Sequence, residues 1–224
     1  MGKLSTQNKI LIGLLVVLVA AAILIAARNQ TWTQITDLFK KEETPVVAEI
    51  GELTPYSNDT TGLSLQIPAN WISRETNPGL TIASSERALG IETFDDLQTD
   101  GVLVIIPGEI DVLEFQSGEA FTGRDPMSLL TLYVQLLEKE GQEYLGVVPP
   151  QLFQADDQPG AKVVFQSLQG ETTLEIIMAA VVNEPAGYVA FVSTAANVDN
   201  AAALRPTFEA VLNTIHVEPP GTVQ

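Results

Sequence analysis

Apolar residues fall along this chain in three successive regimes. In the first, Ile10–Ala27, 17 of 18 positions are Ala, Val, Ile or Leu, and Gly13 is the exception. As a helix the run spans about 27 Å at ~1.5 Å per residue, close to a hydrocarbon core of roughly 30 Å. Lys9 and Arg28 bracket it with stems that can snorkel to headgroups. The expectation is a transmembrane helix at 10–27 behind a short tail at 1–9. A cleavable signal peptide is the alternative, with Lys3 and Lys9 as basic region and Ala20-Ala21-Ala22 as small-x-small site. Against it, apolar sequence resumes at Ile23-Leu24-Ile25, past the usual hydrophobic length of roughly 7–15 residues.

The second regime, residues 28–52, is mixed. Trp32, Ile35, Leu38 and Phe39 would form one stripe of a helix, with Trp32 suited to a membrane boundary and Lys40-Lys41 to anionic lipid. The Glu-rich stretch after Lys41 has a Pro, a Gly and no period, and reads as a tether.

The third regime, 53–218, is a domain of strands and two helices, followed by a tail at 219–224. Leu63-Ser64-Leu65-Gln66-Ile67 alternates and stops at Pro68, as a half-buried strand does. Leu80–Ala83 and Val102–Ile106 are further strands, the second apolar throughout. Asp125-Pro126 opens a helix as N-cap and first helical residue, Gly141 lies past its end, and Leu129, Leu130, Tyr133, Leu136 and Leu137 share one face. Ala161–Leu168, Thr172–Asn183 and Tyr188–Thr194 follow with short turn-like connections, which force an antiparallel meander. A helix from about Arg205 to Asn213, with Pro206 near its start, and a last strand at Ile215–Val217 close the domain. This order predicts an α+β class, an antiparallel sheet flanked by helices.

Charge separates the regimes again. The chain carries 11 Lys+Arg against 28 Asp+Glu, a formal net charge of −17. Five of the bases and one acid, Asp37, fall within residues 1–41, so the remainder has six bases and 27 acids. So acidic a body repels polyphosphate, which excludes nucleic-acid binding through it. The absence of Cys removes disulfides, thiolate metal sites, thiol nucleophiles and a lipoprotein anchor. Basic groups flank the apolar run on both sides; a nine-residue tail is easily kept inside, which favours a cytoplasmic N-terminus and an extracytoplasmic domain.

Several segments together resemble the PsbP-like superfamily. They are Tyr56-Ser57-Asn58, Gly62-Leu63-Ser64-Leu65-Gln66-Ile67-Pro68, Trp71, Pro159-Gly160-Ala161, Leu204-Arg205-Pro206-Thr207-Phe208-Glu209 and Leu212-Asn213-Thr214. That superfamily includes the extrinsic PsbP subunits of photosystem II, a Ran-GTPase-binding regulator and envelope proteins of the DcrB type. The resemblance runs from about Leu53 to Val217. It implies an α/β/α sandwich that binds another macromolecule and performs no known chemistry. Its motifs are structural, and no family binding residue carries over to a matched position.

Candidate chemistry is sparse. Glu92, Asp95, Asp96 and Asp100 crowd a loop and could offer oxygens to Ca²⁺, but EF-hand spacing is lacking, so a solvated acidic loop is the plainer reading. Glu109, Asp111, Glu114 and Glu119, interleaved with Ile110, Val112, Leu113 and Phe115, form either a partner-docking insertion or a short amphipathic segment covering the sheet edge. Asp156-Asp157-Gln158-Pro159-Gly160 reads as a turn. His216 is the only His and reads as structural, and Trp71 reads as a plug at the core edge. No phosphate loop is present, and nothing singles out a carboxylate pair for glycoside chemistry. No catalytic, cofactor or metal residue is therefore assigned. The expected role is binding of an unidentified membrane or envelope protein with a basic surface. An envelope hydrolase or transferase using two carboxylates, and a cation- or solute-binding module, are the competing classes.

Overall fold

The structure, a computed structural model, describes residues 51–76, 79–90, 97–117, 121, 123–139, 145–169 and 172–221. The expected transmembrane helix, the juxtamembrane helix and nearly all of the tether lie outside the described residues. Among those described, no helix is long and apolar enough to cross a membrane.

The domain opens with a hairpin of β1 (Leu53–Asn58) and β2 (Leu63–Pro68), then a second of β3 (Ile72–Glu75) and β4 (Leu80–Ala83). The short helix α1 (Glu86–Leu89), strand β5 (Gly101–Glu109) and helices α2 (Ile110–Ser117) and α3 (Pro126–Lys139) follow. The meander is β6 (Leu145–Ala155), β7 (Gln158–Gln169), β8 (Thr172–Asn183) and β9 (Tyr188–Asn197). Helix α4 (Val198–Leu212) and the two-residue β10 (His216–Val217) close the domain.

These strands make two antiparallel sheets, where the sequence predicts one. Seven strands run in the order β3-β4-β5-β9-β8-β7-β6, and three in the order β1-β2-β10. The split is hidden in sequence because β2 takes its second neighbour from the far end of the chain, with Ser64 opposite His216. The large sheet is the middle layer. One face carries Val102, Val163, Phe165, Ile176 and Met178 against Leu129 and Leu130 of α3, with α1 and α2 beside them. The other carries Leu103, Ile105, Ile177, Ala179 and Val192 against Phe208, Val211 and Leu212 of α4 and Leu63, Leu65 and Ile67 of the small sheet. Leu174 to Val182 of β8 are all buried, because helices cover that strand on both faces.

Local chemistry explains the boundaries. Asp125 caps α3 as predicted: its Oδ1 accepts from the backbone N–H of Met127 and Ser128 at 3.0 Å each. Tyr133 on the buried side of α3 stacks on Phe191 of β9 with centroids 4.8 Å apart. Helix α4 departs from expectation. It starts at Val198, seven residues before the predicted start, with Asn197 as N-cap, and Pro206 lies inside it. Proline breaks a helix by lacking a donor for the carbonyl four residues back. Here that carbonyl belongs to exposed Ala202, where water can take the missing donor's place. Strand β6 has no counterpart in the sequence reading. Pro149-Pro150 argues against a strand, yet β6 is an edge strand with register shifts on both sides of Val148, the setting that tolerates proline.

Candidate functional site

Strand β10 is held by partners drawn from three other segments. Its first edge pairs with β2. On the other, the Gln158 side chain stands in for a strand: Nε2 donates to the Val217 carbonyl at 2.8 Å and Oε1 accepts from the Val217 N–H at 2.9 Å. Asn183 Nδ2 donates to the same carbonyl at 3.0 Å. The Glu218 N–H donates to the Gly62 carbonyl at 2.9 Å. Gly62 has φ +65°, and a Cβ there would lie 1.7 Å from the Glu218 oxygen, so this turn admits only glycine.

Alternation along the small sheet turns Leu63, Leu65 and Ile67 inward and Ser64 and Gln66 outward. Pro55 stands opposite Gln66, and Ser57 and His216 stand opposite Ser64. This outward face opens onto a groove of about 800 Å³, completed by Asp156, Asn213, Thr214 and Glu218. The Thr214 hydroxyl accepts from the Gln66 N–H at 2.9 Å, fixing the loop against β2 just before β10 begins. Beside the groove, His216 sits between two acids. Nδ1 is 3.1 Å from Asp156 Oδ2, and Nε2 is 3.6 Å from Glu218 Oε1. Nδ1 is sealed from solvent, and the Asp156 carboxylate, 55% exposed, approaches it closely without an aligned hydrogen bond. The groove lining holds two carboxylates and no Lys or Arg.

The arrangement attracts cations more readily than it activates a nucleophile. Ser64, His216 and Asp156 are neighbours, but Nε2, the atom that takes a proton from a triad hydroxyl, faces Glu218. Tyr56, also in the lining, donates its hydroxyl to Glu75 Oε1 at 3.0 Å. Burial pushes its phenol up, and the Glu75 carboxylate adds to this against an opposing bond from Asn58, so it stays protonated at neutral pH. Glu75 also accepts from Asn58 Nδ2 at 2.9 Å, so Tyr56 and Asn58 tie the first hairpin to β3.

The other expected site residues are accounted for by neighbouring contacts or lie outside the described residues. Asp100 is a structural ligand of Arg87, whose Nε and Nη2 reach it at 3.0 and 2.5 Å, and of the Ser84 hydroxyl at 3.0 Å. Burial pushes its carboxyl up, but these bonds outweigh that and leave it below the usual carboxylate range. Glu92, Asp95 and Asp96 lie outside the described residues, and among those described no three acidic or His side chains could hold a metal ion. In the second acidic stretch, Ile110 is buried and Leu113 packs on the helical side of the large sheet; the segment covers, but over the face beside interior strand β5 and not at the expected edge. Asp111 pairs with Arg124, Glu114 Oε1 accepts from the Phe121 N–H at 2.9 Å, and Glu119 is outside the description. Of the expected turn over 156–160, Asp156 and Asp157 form the β6–β7 turn, whereas Gln158, Pro159 and Gly160 already pair with β6. Trp71 is half-buried and meets Phe208 edge-on at 5.7 Å, a plug at the core edge. What the sequence misses is the assembly of Ser64, Gln66, Asp156 and Glu218 around one groove. The one local signal is the polar alternates of the β2 repeat.

Neither the protein-family models nor the curated proteins give a match to the sequence. Solved structures do. The Ran-binding protein Mog1p of Saccharomyces cerevisiae is 11% identical, with a TM-score of 0.51 over 75% of this chain and 97% of its own. Cyanobacterial PsbP from Synechocystis sp. PCC 6803 is 15% identical, with a TM-score of 0.48 over 75% and 94%. LpqN of Mycobacterium tuberculosis, involved in cell envelope biogenesis, is 14% identical, with a TM-score of 0.49 over 75% and 91%. At such identities the likeness speaks for fold alone. In fold, the described domain is similar to the Ran-binding protein Mog1p, which accords with the resemblance read from the sequence.

Proposed function

We propose that the protein is a membrane-tethered, extracytoplasmic domain that binds a protein partner with a basic surface and carries out no turnover. The observation that carries this reading is the surplus of negative charge. Residues 42–224 hold 27 acids and six bases. Four of those six bases, Arg87, Arg124, Lys162 and Arg205, are already paired with carboxylates. The field outside the domain is therefore strongly negative, and such a field speeds encounter with Lys- and Arg-bearing surfaces. The uninterrupted apolar run at 10–27 supports the tether, and the binding role of Mog1p, which shares the fold, supports a binding module.

The test is recovery of partners from detergent extracts at low and high salt. The Debye length falls from ~10 Å at 0.1 M to ~3 Å at 1 M, so retention should drop steeply. A partner held equally at both salts would remove the electrostatic part. Turnover that vanishes on substitution of one Asp or Glu in a folded variant would remove the reading altogether.

A further inference from the structure

We infer that the groove over the small sheet is the seat for a Lys or Arg side chain carried on an extended segment of that basic partner, a statement that rests on the binding reading above. Three observations converge on it. First, the groove is a formed recess of about 800 Å³ with a floor of short outward side chains, among them Ser57 and Ser64. Such a floor admits an extended chain lying across the strands. Second, its charged lining residues are all acidic: Asp156 from the β6–β7 turn and Glu218 just past β10, with no base among the lining residues. Third, both acids sit within 3.6 Å of an imidazole nitrogen of His216, yet neither is bound by it in an aligned hydrogen bond. Asp156 is also more than half exposed, so an incoming ammonium or guanidinium meets a carboxylate that need not leave a stronger partner.

Position reinforces the charge argument. Elsewhere on the domain, several carboxylates are engaged: Asp100 by Arg87, Asp111 by Arg124, Glu209 by Lys162 and Glu175 by Arg205. At the groove, the two acids share one open recess, so an incoming cation meets both negative charges together. Gln66 and Asn213 add neutral amides that can bond the backbone of the occupant.

The experiment titrates hexalysine into the purified full-length chain at low salt by calorimetry. The parent should bind, and Asp156→Asn/Glu218→Gln should weaken binding by about tenfold or more. Glu86→Gln/Glu184→Gln removes the same charge from exposed positions outside the groove and should weaken it no more than about twofold. Ser57→Lys, at an exposed floor position that tolerates a long side chain, should compete from within the groove and weaken binding to a similar extent as the double variant. It serves as the second measurement if loss of both acids disturbs the β6–β7 turn. Equal, small losses in both charge-matched variants, with Ser57→Lys unchanged, would overturn the groove while leaving the diffuse electrostatic reading intact. A parent that does not bind hexalysine would also overturn it, independently of whether partner recovery from extracts proves salt-sensitive.

Discussion

Gln158 does for Val217 what a neighbouring strand would do, and it is 6% exposed while doing so. Replacing it with Ala leaves a buried N–H without its acceptor and takes one donor from the carbonyl, so Gln158→Ala should cost about 1–3 kcal/mol in urea unfolding. Gly62→Ala should cost about 1–3 kcal/mol as well, since a positive φ is combined with a backbone clash. The first effect is illegible in sequence, where Gln158 reads as one more turn residue. Asp125 is the opposite case. An Asp-Pro pair ahead of an apolar period announces a helix start, and the cap forms there. Removing it by Asp125→Ala should cost about 1 kcal/mol at neutral pH. The bonds from the Ser128 hydroxyl and backbone hold this carboxyl below the usual carboxylate range, against a smaller upward push from burial. A depressed carboxyl contributes stability that is complete above its unfolded value of about 3.9 and is lost as pH falls through the lower folded value. The gap in urea midpoint between parent and Asp125→Ala should therefore narrow between pH 5 and pH 2. A gap that widened on acidification would show that the carboxylate is not the capping species.

Among the elements, the β7–β9 strands are the most legible because short connections leave antiparallel pairing as the only outcome. Strand β6 and the first two turns of α4 are the least, because Pro149, Pro150 and Pro206 signal breaks that the fold accommodates at an edge and on a solvent-facing helix side. Helix α4 is fastened by apolar and ionic contacts that can be tested separately. Phe208 is 2% exposed, and Phe208→Ala should cost about 3–5 kcal/mol, with Trp71→Ala, at the edge of the same contact, costing less. Arg205 reaches Glu175 through Nε and Nη2 at 2.9 and 2.5 Å, and Glu175 is 8% exposed in the middle of β8. The hydrogen bonds to the Glu175 carboxylate raise the Arg205 pKa, so the guanidinium stays charged. Arg205→Ala strands a buried carboxylate and should cost about 1–3 kcal/mol. The double variant Glu175→Leu/Arg205→Met should recover most of that, because an apolar replacement restores packing without the stranded charge. Thermal unfolding of the three proteins checks the cycle, and a double variant less stable than Arg205→Ala would refute it.

For the molecule as a whole, the layered α+β class follows from the order of elements, whereas the second sheet does not, because it joins β2 to residues near the end of the domain. With no Cys in the chain, Ser57→Cys provides a single exposed reporter on β1. An impermeant maleimide should label it in intact cells, and labelling only after lysis would reverse the proposed topology. A chain beginning at Glu49 should be soluble and unfold cooperatively, since the domain core is drawn from residues past 60; aggregation would count against an independent domain. The pairing of Ser64 with His216 also sets a schedule. A polypeptide emerging from its N-terminus completes the first hairpin early, then waits for some 150 further residues before β2 finds its second neighbour. If it is exported, the thread must clear the translocation channel through Val217 before the small sheet closes over Leu63, Leu65 and Ile67. Synthesis that stalls before Ile215 leaves a naked strand edge, the kind of unfinished surface that chaperones shield and quality-control proteases destroy. The two-residue strand thus makes closure of the small sheet one of the last events in forming the domain.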